Sequence, residues 1–161
     1  MKKIDTLFAA YGESHQTALN KKIHYFCVPA IFFSLLGLLY LIPVYKLFLP
    51  FIDISIAKHI NLATAAIIVS TVYYFSLSVR LGVSMFVLLV LALAIIHILE
   101  IKQFMSLWLM MTVIFVIAWI GQFIGHQHEG KKPSFFEDVQ FLLIGPAWTL
   151  KHLFDRLGMR L

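Results

Sequence analysis

The chain has little of what a water-soluble domain needs. Of its 161 residues only 8 are acidic and 13 basic, while 61% are hydrophobic. With a mean hydropathy of +0.89, it lies outside the range of ordinary soluble domains. A single cysteine, Cys27, excludes an intrachain disulfide. No repeat, low-complexity stretch or Pro/Gly-rich linker interrupts the sequence, so a multi-domain array is excluded. The first twenty residues contain Asp5, Glu13, His15 and Asn20 and therefore lack the unbroken apolar core of a secretory signal. The first hydrophobic span is then expected to act as its own insertion signal. The net charge of +5 is carried by residues standing singly or in pairs at the ends of apolar runs, which fits membrane topology and gives no reason to expect a nucleic-acid partner.

What remains is apolar, and its spacing predicts an all-α membrane protein forming one domain over residues 1–161. Four spans are expected at 25–43, 60–79, 81–99 and 104–125, each long enough for ~30 Å of hydrocarbon or close to it. A short N-terminal helix precedes them. The connector "KLFLPFIDISIAKH" is expected along the membrane surface. The second span ends at Arg80 and the third begins at Leu81, which predicts a tight helical hairpin. The apolar segment 139–150 is too short to cross and contains Gly145 and Pro146, so it is expected to be an interrupted re-entrant or interfacial piece.

With four spans, Lys2, Lys3, Lys21, Lys22, Arg80, Lys131, Lys132, Lys151, Arg156 and Arg160 collect on one side, against Lys46, Lys58 and Lys102 on the other. This asymmetry predicts both termini in the cytoplasm, at a bacterial inner membrane or, in a eukaryote, the endoplasmic reticulum. It also brings "YGESHQTALNKKIHYF" and "GQFIGHQHEGKKP" to the same face, although more than a hundred residues separate them.

Those two stretches carry His15, His24, His126 and His128. Imidazole with carboxylate suits divalent iron, zinc or manganese. On a helix, Trp119, Gln122, His126 and Glu129 form one stripe, so His126 and Glu129 are close enough to serve one ion. His128 lies about 200° around that helix from His126 and ranks below it as a ligand. His15 and His24 are nine residues apart, on opposite faces of any continuous helix, and sharing a metal requires a break between them. Asn20 is the expected N-cap at that break. Glu129 has two open roles, as a metal ligand or as the acceptor that orients an imidazole. His59 and His152 read as polar tips at the headgroups. His97, one turn before Glu100 inside the third span, is expected to line a pocket, bond another helix or titrate. The GxxxG from Gly121 to Gly125 reads as a close helix contact, with a homodimer as the further option.

At these residues the sequence resembles the yeast-type 2-hydroxy-fatty-acid dioxygenase family, small multi-span membrane proteins of fungi and bacteria. The resemblance is carried by Tyr11, His15, Asn20 and His24 in "YGESHQTALNKKIHYFCVPAI", and by Gln122, His126, Glu129 and Pro133 in "WIGQFIGHQHEGKKPSFFEDVQFLLIGPAW". It implies an iron(II) enzyme that uses molecular oxygen to shorten a 2-hydroxy fatty acid by one carbon, in fatty-acid α-oxidation. On that reading His15, His24 and His126 are metal ligands, while Tyr11, Asn20, Gln122 and Glu129 serve catalysis; His128 matches no histidine of the family pattern and stays a weaker ligand candidate from its position alone. The partners are the 2-hydroxy fatty acid and membrane lipid. The rival readings are a zinc-dependent lipid hydrolase on the same ligands, and a transporter or membrane assembly factor whose histidines relay protons. The second is disfavoured because only His97 lies deep in a span.

Overall fold

The computed structural model describes residues 3–44, 60–132 and 141–159, and these are helical without any strand. Among the described residues the helices are α1 (Lys3–Gly12), α2 (Ala18–Tyr40), α3 (Leu62–Leu77), α4 (Val79–Lys102), α5 (Leu107–Glu129) and α6 (Phe141–Arg156). The connector between the first two spans, with His59, and Pro133 lie outside the described residues.

Three helices, α2, α4 and α5, are long and apolar enough to cross a membrane. Their outer faces carry exposed Val83, Leu91, Ile98, Val116 and Ile120, a surface suited to lipid. The expected second span, α3, is apolar but has only 16 residues, about 24 Å of helix. It is shorter than expected because the turn falls at Ser78, whose extended backbone ends α3 and begins α4. Arg80 therefore lies in the first turn of α4 rather than closing α3. The hairpin stays tight because Gly82 accepts the ring of Phe75, which a Cβ at 82 would meet at 2.6 Å.

The first span also begins earlier than expected. Its N-cap is Thr17, not Asn20: the Thr17 side chain accepts from Asn20 N at 3.3 Å, placing Asn20 and His24 inside the first turns of α2. The most extensive helix pairing joins α2 and α5, which run antiparallel. At one end a Cβ on Gly37 would meet Met111 Sδ at 2.5 Å; midway, one on Gly121 would meet Cys27 Sγ at 2.7 Å; at the other end, one on Gly125 would collide with Asn20 Oδ1. Both glycines of the GxxxG are thus occupied by an intrachain contact.

The segment expected to break at Gly145 and Pro146 is instead the continuous helix α6, with Pro146 inside it. Packing holds it together. Ile144, Ala147 and Trp148 are buried against α1 and α2, and Tyr74 of α3 donates its hydroxyl to Leu143 O at 2.8 Å. Gly145 has the Tyr11 hydroxyl against it, 2.9 Å from where a Cβ would stand. His97 bonds another helix, with its Nδ1 2.9 Å from the Tyr40 hydroxyl of α2.

Because the start of α2 and the end of α5 meet, residues near both must face the same side of a bilayer. Single cysteines replacing exposed Glu13 or His128, in a Cys27→Ser background, are expected to react with an impermeant maleimide from the same side of sealed vesicles. Reaction from opposite sides would contradict the packing of α2 on α5.

Candidate metal centre

Three elements each contribute one imidazole to a single point. His15 stands in the turn between α1 and α2, His24 in the second turn of α2, and His126 one turn before the end of α5; all three are buried. One ligand atom from each lies within 4.8 Å of the others. The ring centroids are 4.1 Å apart for His15 and His24, 5.0 Å for His15 and His126, and 4.9 Å for His24 and His126.

The protonation pattern follows from the backbone. His15 Nδ1 lies 2.6 Å from Tyr11 O and His24 Nδ1 lies 2.9 Å from Asn20 O. A carbonyl only accepts, so both Nδ1 atoms carry the proton and both Nε2 atoms present a lone pair. His15 Nε2, His24 Nε2 and His126 Nδ1 are buried without a hydrogen-bond partner. Burying such atoms unpaired costs free energy, and convergent imidazole nitrogens oriented by backbone acceptors are the arrangement of a metal-binding histidine set. The residues present fit a divalent ion. Burial pushes the pKa of His15 down to about 4, opposed by the Tyr11 carbonyl and assisted by the neighbouring His126, so the ring is neutral near pH 7.

Glu129 does not reach an imidazole through any of its described hydrogen bonds. Its carboxylate is turned to the N-terminus of α2. Oε1 accepts from Gln16 N at 2.8 Å, and Oε2 accepts from Thr17 N at 2.9 Å, Thr17 Oγ1 at 2.7 Å and Asn20 Nδ2 at 3.2 Å. An anion here satisfies free backbone donors and the positive end of the helix dipole. The acceptors that orient His15 and His24 are the Tyr11 and Asn20 carbonyls instead. The helix carrying Glu129 ends immediately afterwards at Gly130, whose φ of 72° is left-handed. Because α5 runs to Glu129, His128 projects away from the triad and is exposed. Lys131 donates to Glu13 O at 2.8 Å, tying the same two stretches together.

Tyr11 stacks on His15 with ring centroids 4.3 Å apart, and burial pushes its pKa up, so its hydroxyl stays protonated. Gln122 is buried one turn before His126, and its Nε2 has no partner. Both residues line a narrow cleft beside His126, with Val28, Ile31 and Phe32 as its apolar wall. Sequence reasoning missed Thr17 and Trp148. The spacing of Thr17 to Asn20, that of a helix capping motif, was the available signal for the first. Trp148 packs its ring 5.5 Å from those of both Tyr11 and His15, and no local pattern in α6 marks it. His152, read as a headgroup tip, packs its ring against Trp148, with centroids 4.0 Å apart and the planes tilted by 47°.

Described residues that are helical without strands, with three helices among them long enough for a bilayer and three unpartnered imidazole nitrogens converging at one end, define the class of helical membrane proteins with a metal-type histidine site. The family comparison is more specific: residues 1–157 match the family described as 2-hydroxy-palmitic acid dioxygenase Mpo1-like, and the chain belongs to that family. No curated protein and no solved structure matches.

Two outcomes follow from this geometry. Glu129→Ala strands the Gln16, Thr17 and Asn20 donors and is expected to cost about 1–3 kcal/mol of stability and at least ~10-fold in metal affinity. His128→Ala should change neither. The second concerns pH. The pKa of His15 is about 4 in the fold, below its ordinary ~6.5 when unfolded, so the unfolded chain binds more protons between those values. The unfolding temperature of metal-free protein is expected to fall as pH drops from 6.5 towards 4, and to fall less in His15→Phe.

Proposed function

We propose that the protein is an iron(II)-dependent dioxygenase that shortens 2-hydroxy fatty acids by one carbon, a step of fatty-acid α-oxidation. One observation carries the reading: three buried, unpartnered imidazole nitrogens converge beside a cleft whose other wall is apolar. Family membership supplies the substrate class. His15, His24 and His126 would hold iron(II), which would supply a redox centre able to take oxygen and the 2-hydroxy acid. The 2-hydroxy acid brings its own electrons, so no 2-oxoglutarate is needed. One oxygen molecule balances the conversion of R–CH(OH)–COOH to R–COOH, carbon dioxide and water.

The chain's own residues hold the acid in place. The Tyr11 hydroxyl and the Gln122 amide are donors on the cleft wall and are assigned to the polar head of the substrate. Val28, Ile31 and Phe32 receive the first methylenes of the tail. Asn20 acts indirectly, because its carbonyl fixes the tautomer of His24 while its amide bonds Glu129. The three histidines that would hold the iron stand where apolar helices end, so the acid's head would reach polar donors while its tail remains in lipid. The membrane is read with both termini on the cytoplasmic side, from the distribution of lysine and arginine.

Anaerobic loading with iron(II), followed by oxygen and 2-hydroxypalmitate, is expected to yield pentadecanoate with one oxygen consumed per product. His15→Ala, His24→Ala and His126→Ala should each lose bound iron and activity by at least ~10-fold, with His128→Ala unchanged. A zinc-loaded protein that hydrolyses lipid without consuming oxygen would refute the proposal.

A further inference from the structure

A second cavity lies on the face of α2 adjoining the cleft beside the triad. It is a groove of about 710 Å³, within the ~300–1,000 Å³ of ligand pockets. The floor is α2, through Phe26, Pro29 and Phe33; one wall is α4, through Leu88 and Leu89, and the other is α6. Both walls pack on α2. The groove runs along α2 from Lys22 to Phe33, about 16 Å of helix, which is roughly half of the ~30 Å hydrocarbon thickness. That is the depth of one leaflet.

The two ends of the groove differ in chemistry. The inner end is apolar. The outer end carries Lys22, His152 and Arg156, and among the described residues no acidic one lines the groove. The guanidinium of Arg156 is fixed over the Tyr25 ring, with Cζ 5.2 Å from its centroid. Asp155, adjacent to Arg156 in sequence, is paired with Lys151 at 2.5 Å and so already has a cation of its own.

A slot one leaflet deep, apolar along its length and cationic at its mouth, is complementary to a single alkyl chain ending in an anion. We propose that this groove binds an unesterified long-chain fatty acid, with its carboxylate between Lys22 and Arg156 and its chain along α2, at a site that needs no metal. An unesterified acid matches the groove better than a phospholipid, because its charge stands directly at the end of one chain. Phe32 and Pro146 line both this groove and the cleft beside His126. The groove therefore adjoins that cleft, with these two side chains forming part of the lining of each.

The test uses the full chain in nanodiscs of uncharged phosphatidylcholine with chelator present, and a palmitate bearing a diazirine on its chain. Crosslinks are expected within 26–33 and 85–92. Competition by plain palmitate should be at least ~10-fold stronger than by hexadecanol, and the double variant Lys22→Gln/Arg156→Gln, altered only at surface cations, should lose that preference. Equal competition by hexadecanol, an unchanged preference in the double variant, or crosslinks confined to α5 would each overturn the proposal. Phosphatidylglycerol competing as well as palmitate would assign the groove to phospholipid and overturn it too. The assay contains no iron and reads no turnover, so a failed dioxygenase assay and a failed crosslink remain separate results.

Discussion

The carboxylate of Glu129 at the N-terminus of α2 is the contact on which the site depends. It joins the last residue of α5 to the α1–α2 turn and the first turn of α2. Helix α5, the α1–α2 turn and helix α2 carry one of the three histidines each. Hydrogen bonds to a charged acceptor contribute about 1.5–3 kcal/mol each when well formed, and an anion at a helix N-terminus adds a few tenths to one more. Helix packing alone is poorly suited to this task, since apolar helices in lipid gain little by choosing one rotation over another. The Glu129 clamp fixes the end of α5 against α2, and the imidazoles follow from it.

The glycines act in the same direction. Gly125 lets α5 approach until only a hydrogen separates it from Asn20, and Gly145 lets α6 bring its backbone against Tyr11. Both contacts press on the side chain of a residue whose own backbone carbonyl orients a histidine one turn on. The Tyr11 and Asn20 carbonyls each hold a histidine Nδ1 proton, leaving Nε2 of His15 and His24 as donors of a lone pair. The site is thus built from helix ends, where backbone groups are free to serve side chains. The long middles of the same helices meet lipid.

Much of this was legible in the sequence. The apolar runs gave helices close to their observed positions, and the basic flanks brought two distant histidine segments to one end. The required break between His15 and His24 was deduced from 3.6 residues per turn and exists as the α1–α2 turn. What escaped were contacts between elements. Thr17 rather than Asn20 caps α2 because Glu129, 112 residues away, completes the cap. The helix through Gly145 and Pro146 survives because α1 and α2 pack against it, although its local sequence favours a break. Trp148 contacts the site only through that packing. Period and propensity report a residue's own helix, whereas these placements depend on a neighbour's.

The central claim is that one metal ion is held by three imidazoles on three separate pieces of chain. X-ray absorption of anaerobically iron-loaded protein counts those imidazoles directly through their ring scattering. The account predicts three in the wild type, and two with weakened binding in His24→Ala. An iron environment without imidazole scattering, or one unchanged by loss of His24, would contradict it.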